Sequence, residues 1–113
     1  MANTFVNKKV DLTSTSATTL YTVPTASTAV IKSILVSEDS GNADTITITL
    51  TDADAAVFSL FKTKAISANA TTELLTAPLV AQESEIVKET AATANRLHVV
   101  LSALEIKPRE VIT

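Results

Sequence analysis

The sequence predicts an all-β fold, an antiparallel β-sandwich (Ig-like or jelly-roll-like) of about seven or eight strands with extended terminal arms. Three observations predict it. Thr, Val and Ile supply 38 of the 113 residues, and β-branched side chains suit a pleated, half-buried surface. Residues 45–51 alternate strictly, with Ile46, Ile48 and Leu50 on one face and Thr45, Thr47, Thr49 and Thr51 on the other, which is the period of a strand buried on one side. Short apolar runs are separated by turn signals roughly every eight to twelve residues, as in sandwiches and small barrels. The length fits one domain and leaves little room for a second core.

Residues 18–23 (TTLYTV) read as a strand ended by Pro24, which cannot donate to a ladder. Residues 29–37 (AVIKSILVS) are β-branched and continuous, with Lys32 the only charge, and predict a strand buried over most of both faces. The segment 38–43 holds Asp39, Ser40, the only glycine (Gly41) and Asn42. Those residue types make Asx turns or accept positive φ, so 29–37 and 45–51 are expected to form a hairpin. Asp52, Ala53 and Asp54 turn the chain into a strand over 57–64, where Phe58, Leu60 and Lys62 oppose Val57, Ser59 and Phe61. Residues 71–75 form a strand with Pro78 beyond it, and 84–90 and 97–106 complete the set. The last two also admit a helical reading, because 81–94 is rich in Ala, Glu and Lys, and Leu97, Val100, Leu101 and Leu104 fall at helical spacing. Val99, Val100 and the flanking threonines favour strands. Segments 17–24 and 70–78 resemble each other, and both read as strands stopped by proline.

Charge divides the chain into an N-terminal arm (1–10), a body (11–106) and a C-terminal tail (107–113). Residues 10–106 hold 11 acidic and 5 basic side chains, whereas the ends carry Lys8, Lys9, Lys107 and Arg109 against Glu110. Basic ends on an acidic body are attracted to a neighbouring copy's body. Phe5 and Val6 are the arm's adjacent apolar residues, so the arm is expected to pack on another subunit. The N-terminal segment lacks a signal-peptide core, and no apolar run approaches the roughly 20 residues that a bilayer requires. The expectation is a soluble protein made without export.

Residue chemistry argues against an enzyme. There are no cysteines, so disulfides, thiolate metal sites and cysteine nucleophiles are excluded. One glycine cannot build a P-loop or a dinucleotide fingerprint. The single histidine, His98, lies inside an expected strand with no Gly-x-Ser-x-Gly elbow elsewhere, so it reads as a sheet histidine rather than a base. Glu38, Asp39, Asp44, Asp52 and Asp54 cluster in two turns, yet lack the glycine and bidentate Glu of a calcium loop. They read as solvated turn carboxylates. A net charge of −3 gives no pull toward nucleic acid or anionic membranes. Lys62 and Lys64 read as guards of a sheet edge. Asn69-Ala70-Thr71 matches a glycosylation acceptor but has no secretion signal beside it. No catalytic residue, cofactor, metal or small-molecule substrate is expected.

The assembled pattern resembles small β-sandwich virion structural proteins of tailed bacteriophages. It comprises Leu20-Tyr21-Thr22-Val23-Pro24, the strand 29–36, the Thr-alternating strand 45–51, the segment 66–75, and Pro78-Leu79-Val80. Ser84-Glu85-Ile86-Val87-Lys88 and the closing 101–106 finish it, so the likeness spans about residues 17–106. The resemblance implies a capsid decoration (cement) protein that binds between major capsid protein subunits on the virion surface after synthesis in the host cytoplasm. A neck, tail or fibre-attachment protein is the alternative within the virion. A host-surface or carbohydrate-binding module is the alternative outside it, supplied only by Tyr21, Phe5, Phe58 and Phe61. The candidate interaction residues are Phe5, Val6, Lys8, Lys9, Thr45, Thr47, Thr49, Lys107 and Arg109. A homotrimer, packed through the uncharged Thr face of 45–51, is the expected assembly.

Overall fold

The computed structural model describes residues 3–107, which form nine strands and no helix. They are β1 (Asn3–Asp11), β2 (Thr18–Thr22), β3 (Thr28–Glu38), β4 (Asp44–Thr51), β5 (Val57–Ile66), β6 (Thr71–Glu73), β7 (Leu79–Ala81), β8 (Ile86–Ala91) and β9 (Leu97–Ile106). Four antiparallel pairings amount to one long hairpin folded at the turn after β4: β4 with β5, β3 with β6 and β7, β2 with β8, and β1 with β9. Two more, β9 with β3 and β8 with β4, roll that hairpin up. The result is two facing sheets, β1-β9-β3-β6 with β7 also on β3, and β2-β8-β4-β5. A hairpin rolled in this way is a jelly roll, so of the two sandwich types expected from the sequence the jelly-roll order is the one found.

Inward residues of both sheets make one core, in which Ile31, Ile34, Ile46, Ile48, Leu97 and Leu101 are fully buried. β9 shows the strand period over its whole length, with Leu97, Val99, Leu101, Ala103 and Glu105 inside. Val100 and Leu104 therefore face outward, and their helical spacing has no structural counterpart. β3 keeps its phase across a bulge between Ile31 and Ser33. One extra residue at Lys32 lets Ile31 and Ile34, three apart, both point inward. A second bulge in β2, between Thr19 and Tyr21, turns the neighbours Leu20 and Tyr21 both into the core.

Three sequence expectations are corrected here. Residues 29–37 and 45–51 are not a hairpin, because β3 pairs with β9, β6 and β7 while β4 pairs with β5 and β8 in the opposite sheet. Their apolar faces meet across the core instead of lying side by side, and the 39–43 loop carries the chain between sheets. β3 is buried on one face only, since Val30 and Ser33 are half-covered and Leu35 is 38% exposed. The N-terminal segment is not a free arm. Asn3–Asp11 pairs residue by residue with β9, and Val6 and Val10 pack against the core. β1 and the three-residue β7 are strands that the sequence reading did not contain.

A chain with one glycine has to place other residues in the left-handed region. Ala26, Ala55, Thr63, Asn69, Ser84 and Asn95 all have φ between 48° and 68°. Asn tolerates this conformation, while Ala and Thr pay a steric cost there. Thr63 sits where the β4–β5 register shifts, and its N–H is taken up by Thr47 Oγ1 at 3.0 Å.

Candidate interaction surface

Acidic side chains expected to be solvated are mostly structural. Glu38 is buried and its carboxylate accepts hydrogen bonds from the amides of Ser40 (2.8 Å), Gly41, Asn42 and Asn69 (each 3.1 Å), and from the Ser40 hydroxyl. It thereby fastens the loop between sheets to the turn before β6. Burial alone would raise its pKa, but the hydrogen bonds outweigh it and hold the group at about 2. Asp44 accepts from Thr93 N at 3.1 Å, and Asp52 Oδ1 accepts from the amides of Asp54 and Ala56 at 2.9 Å. Glu73 accepts from the Ser33 hydroxyl and from the amides of Ile34 and Leu75, across the β3 bulge. Burial opposes its ionisation, but these donors win and lower its pKa.

Two inward carboxyl groups contrast with one another. Glu105 accepts a 2.6 Å hydrogen bond from the Tyr21 hydroxyl, and burial, followed by this bond, raises the tyrosine's pKa. Glu89, on β8, is fully buried, and among the described residues neither of its oxygens has a hydrogen-bond partner. Burial pushes its pKa up to about 8, so it is mainly protonated at neutral pH.

His98 lies on the outer face of the first sheet, its Nε2 3.2 Å from Asp11 and its Nδ1 3.5 Å from Asp39. Both ring nitrogens face carboxylates rather than a nucleophile. Among the described residues, no group of three or more His, Asp or Glu is arranged to hold a metal ion, and no helix is long and apolar enough to cross a membrane.

The outer face of the first sheet is the notable surface. Directly paired residues of neighbouring strands project on one side. Phe5 lies beside Leu104, Leu104 beside Val30, and Val30 beside Val80, an apolar row crossing the whole sheet. Its ends are open: Phe5 is 75% and Val80 53% exposed. A second row runs Lys9, Val100, Leu35, Glu73, apolar in the middle and oppositely charged at its ends. The face thus carries exposed apolar side chains at the ends of one row and half-covered ones between them.

The residues singled out from the sequence fall on several surfaces. Phe5 and Lys9 are on this outer face, whereas Val6 and Lys8 project from the other side of β1, toward the core edge. Lys8 and Lys9 thus form no common basic patch. Thr45, Thr47 and Thr49 lie on the outer face of the second sheet, where Thr49 sits beside Ser59 and Lys88, and Lys88 beside Thr19. Lys107 is exposed just after β9, and Arg109 lies outside the described residues. Of the aromatic residues, Tyr21 is core, Phe61 is half-buried, and Phe58 on β5 is exposed. Leu104, Val30 and Val80 were missed because the row exists only through pairings between distant segments. The one local hint was that apolar residues occupy both phases of 29–37 and 97–106.

No protein-family model matches the chain, and no curated protein matches it. Among solved structures it is similar to a subunit of Bacillus endospore appendages, described as a family of disulfide-linked pili, with a TM-score of 0.53 and 14% identity over 96% of this chain and 93% of that one. It is also similar to a chain of the cyanophage Pam1 capsid asymmetric unit, with a TM-score of 0.46 and 19% identity over 94% and 85% of the two chains. The first likeness concerns the fold, which the two chains share over nearly their full lengths.

Proposed function

We propose that this protein is a virion structural protein of the capsid decoration type, working by protein contact rather than by catalysis. The observation that carries the reading is the open apolar row on the first sheet, a surface suited to another protein. The pattern resemblance over residues 17–106 supports the phage assignment. The chemistry of the described residues fits as well, because the buried or loop-bound carboxylates mostly cap backbone amides and so are committed to the fold. On this reading the partner is the major capsid protein and the location is the capsid surface.

A carbohydrate-binding module would need an aromatic platform, and the two exposed aromatic side chains, Phe5 and Phe58, belong to different sheets. The endospore appendages that share the fold are disulfide-linked pili, and a chain without cysteine cannot be cross-linked in that way.

Quantitative mass spectrometry of purified particles from the phage that encodes the chain tests the proposal. Abundance approaching that of the major capsid protein is the expected result. About a dozen copies per particle would move the protein to a neck or tail ring, and its absence from particles would overturn the virion reading.

A further inference from the structure

We propose that the outer face of the first sheet binds a second copy of this chain across a two-fold axis that runs parallel to the strands, midway between β9 and β3. The inference rests on the pairing register: the open apolar row joins two copies, and contact with a capsid falls to the surface that remains. Such an axis turns the sheet over and exchanges its two edges while keeping each row at its own level. β1 of one copy then lies over the β6 and β7 edge of the other.

The rows match under that operation. In the apolar row, Phe5 meets the second copy's Val80, and Leu104 meets the second copy's Val30. These contacts cover Phe5 and Val80, two of the most exposed large apolar side chains, twice over. In the other row Val100 meets the second copy's Leu35, and Lys9 meets the second copy's Glu73. Each copy therefore brings a cation where the other brings an anion, and the interface gains two such pairs. The bonds from Ser33, Ile34 and Leu75 hold the Glu73 carboxylate in place and keep it ionised. Among the described residues Lys9 bonds only Asn7, at 3.1 Å on the exposed surface, and its flexible stem can reach across. The row between them is polar, with Asn7, Ser102 and Ser33 paired across it and the exposed Lys32 at the β3 bulge beside Ser33.

Size and shape agree. Four strands span about 19 Å, and the ten residues of β9 extend about 33 Å, an outline on the order of 600 Å². Accessible area exceeds outline, which brings the face near the roughly 800 Å² per partner of stable interfaces. Stacked sheets pack about 30° off parallel because each is twisted, which displaces the row ends by about 4 Å. A lysine side chain spans that distance.

The second sheet offers no equivalent. Its outer face centres on Thr49, Lys88 and Thr19, where the same operation buries hydroxyls and a cation without an anion opposite.

The absence of cysteine makes the test direct. Sedimentation of the full chain at tens of micromolar should give twice 11.9 kDa. The double variant Phe5→Ser, Val80→Ser should sediment as a monomer, its dissociation constant raised at least tenfold, with an unchanged circular dichroism spectrum. Under mild oxidation, an equimolar mixture of Phe5→Cys chains and Val80→Cys chains should give covalent dimers, while each variant alone gives few. A monomeric or trimeric native chain would overturn the proposal. So would equal cross-linking in the single-variant samples, because it would place like positions opposite each other.

Discussion

The two sheets close over one core but differ on both of their faces. The first sheet holds its buried carboxyl groups, Glu38 and Glu105, in hydrogen bonds and carries the apolar row Phe5, Leu104, Val30 and Val80 outside. The second presents Thr19, Thr49, Ser59 and Lys88 to solvent and carries a buried, unpartnered carboxyl, Glu89, within. The first sheet therefore has more apolar surface than the fold needs, and the second has one more polar group than the core can satisfy. Surplus apolar area outside a core fits contact with another protein. An uncompensated carboxyl inside one lowers stability whenever it ionises.

Removing the buried carboxyl should have the largest effect. Glu89→Leu should stabilise the chain at pH 8 by roughly 2–4 kcal/mol, and by much less at pH 4.5. The sign follows from linkage. Glu89 has a raised folded pKa of about 8, so the folded state holds a proton that the unfolded chain has released, and stability falls as pH rises from about 4.5 to 8. Glu38 works the other way. Its folded pKa of about 2 gives stability that is present above the usual carboxylate range and is lost as pH falls through that range toward 2. Chemical denaturation of the native chain across pH should therefore show a maximum near pH 5, and Glu89→Leu should flatten the alkaline side alone. A native profile rising from pH 5 to 8 would contradict the assignment of Glu89.

Equivalent changes on the two outer faces should separate them next. Phe5→Ala should weaken self-association about tenfold, corresponding to about 1.4 kcal/mol, with little change in thermal stability. Thr49→Ala, on the opposite face, should leave association within twofold of the native value. Sedimentation equilibrium reads both, and a larger effect from Thr49→Ala would reverse the comparison and favour the Thr-lined face.

The smallest expected effect tests the scaffold between the faces. Ala55, at φ 67° in the turn joining β4 to β5, pays a steric cost that glycine avoids. Ala55→Gly should gain about 0.5 kcal/mol, seen as a rise of a few degrees in Tm. A loss would mean that the added freedom of the unfolded chain outweighs the relief.

Much of this architecture was legible in local pattern. Alternation, β-branched runs and turn or proline punctuation located seven of the nine strands, because period and punctuation are properties of neighbouring residues. β1 was read as an arm because Lys8 and Lys9 interrupt the alternation of Val6 and Val10. β7 offers only Leu79, Val80 and Ala81 after a proline. The division into sheets was not legible, since a loop with Asp39, Gly41 and Asn42 serves a crossing between sheets as well as it serves a hairpin. The burial of Glu38 and Glu89 was hidden because glutamate almost always reads as surface. Of the candidate surface, Phe5 and Lys9 were found, while their companions depend on register between segments up to about a hundred residues apart.

The folded-over hairpin also governs how the chain acquires its structure. β9 lies in the middle of the first sheet, between β1 and β3, so that sheet cannot close until residues 97–106 have been synthesised. Segments made earlier can zip outward from the β4–β5 turn, but β1 has no partner until β9 arrives. Folding dominated by such distant pairings runs on the millisecond-to-second scale. A ribosome-bound chain therefore carries β1 as an unpaired edge until residues 97–106 have emerged.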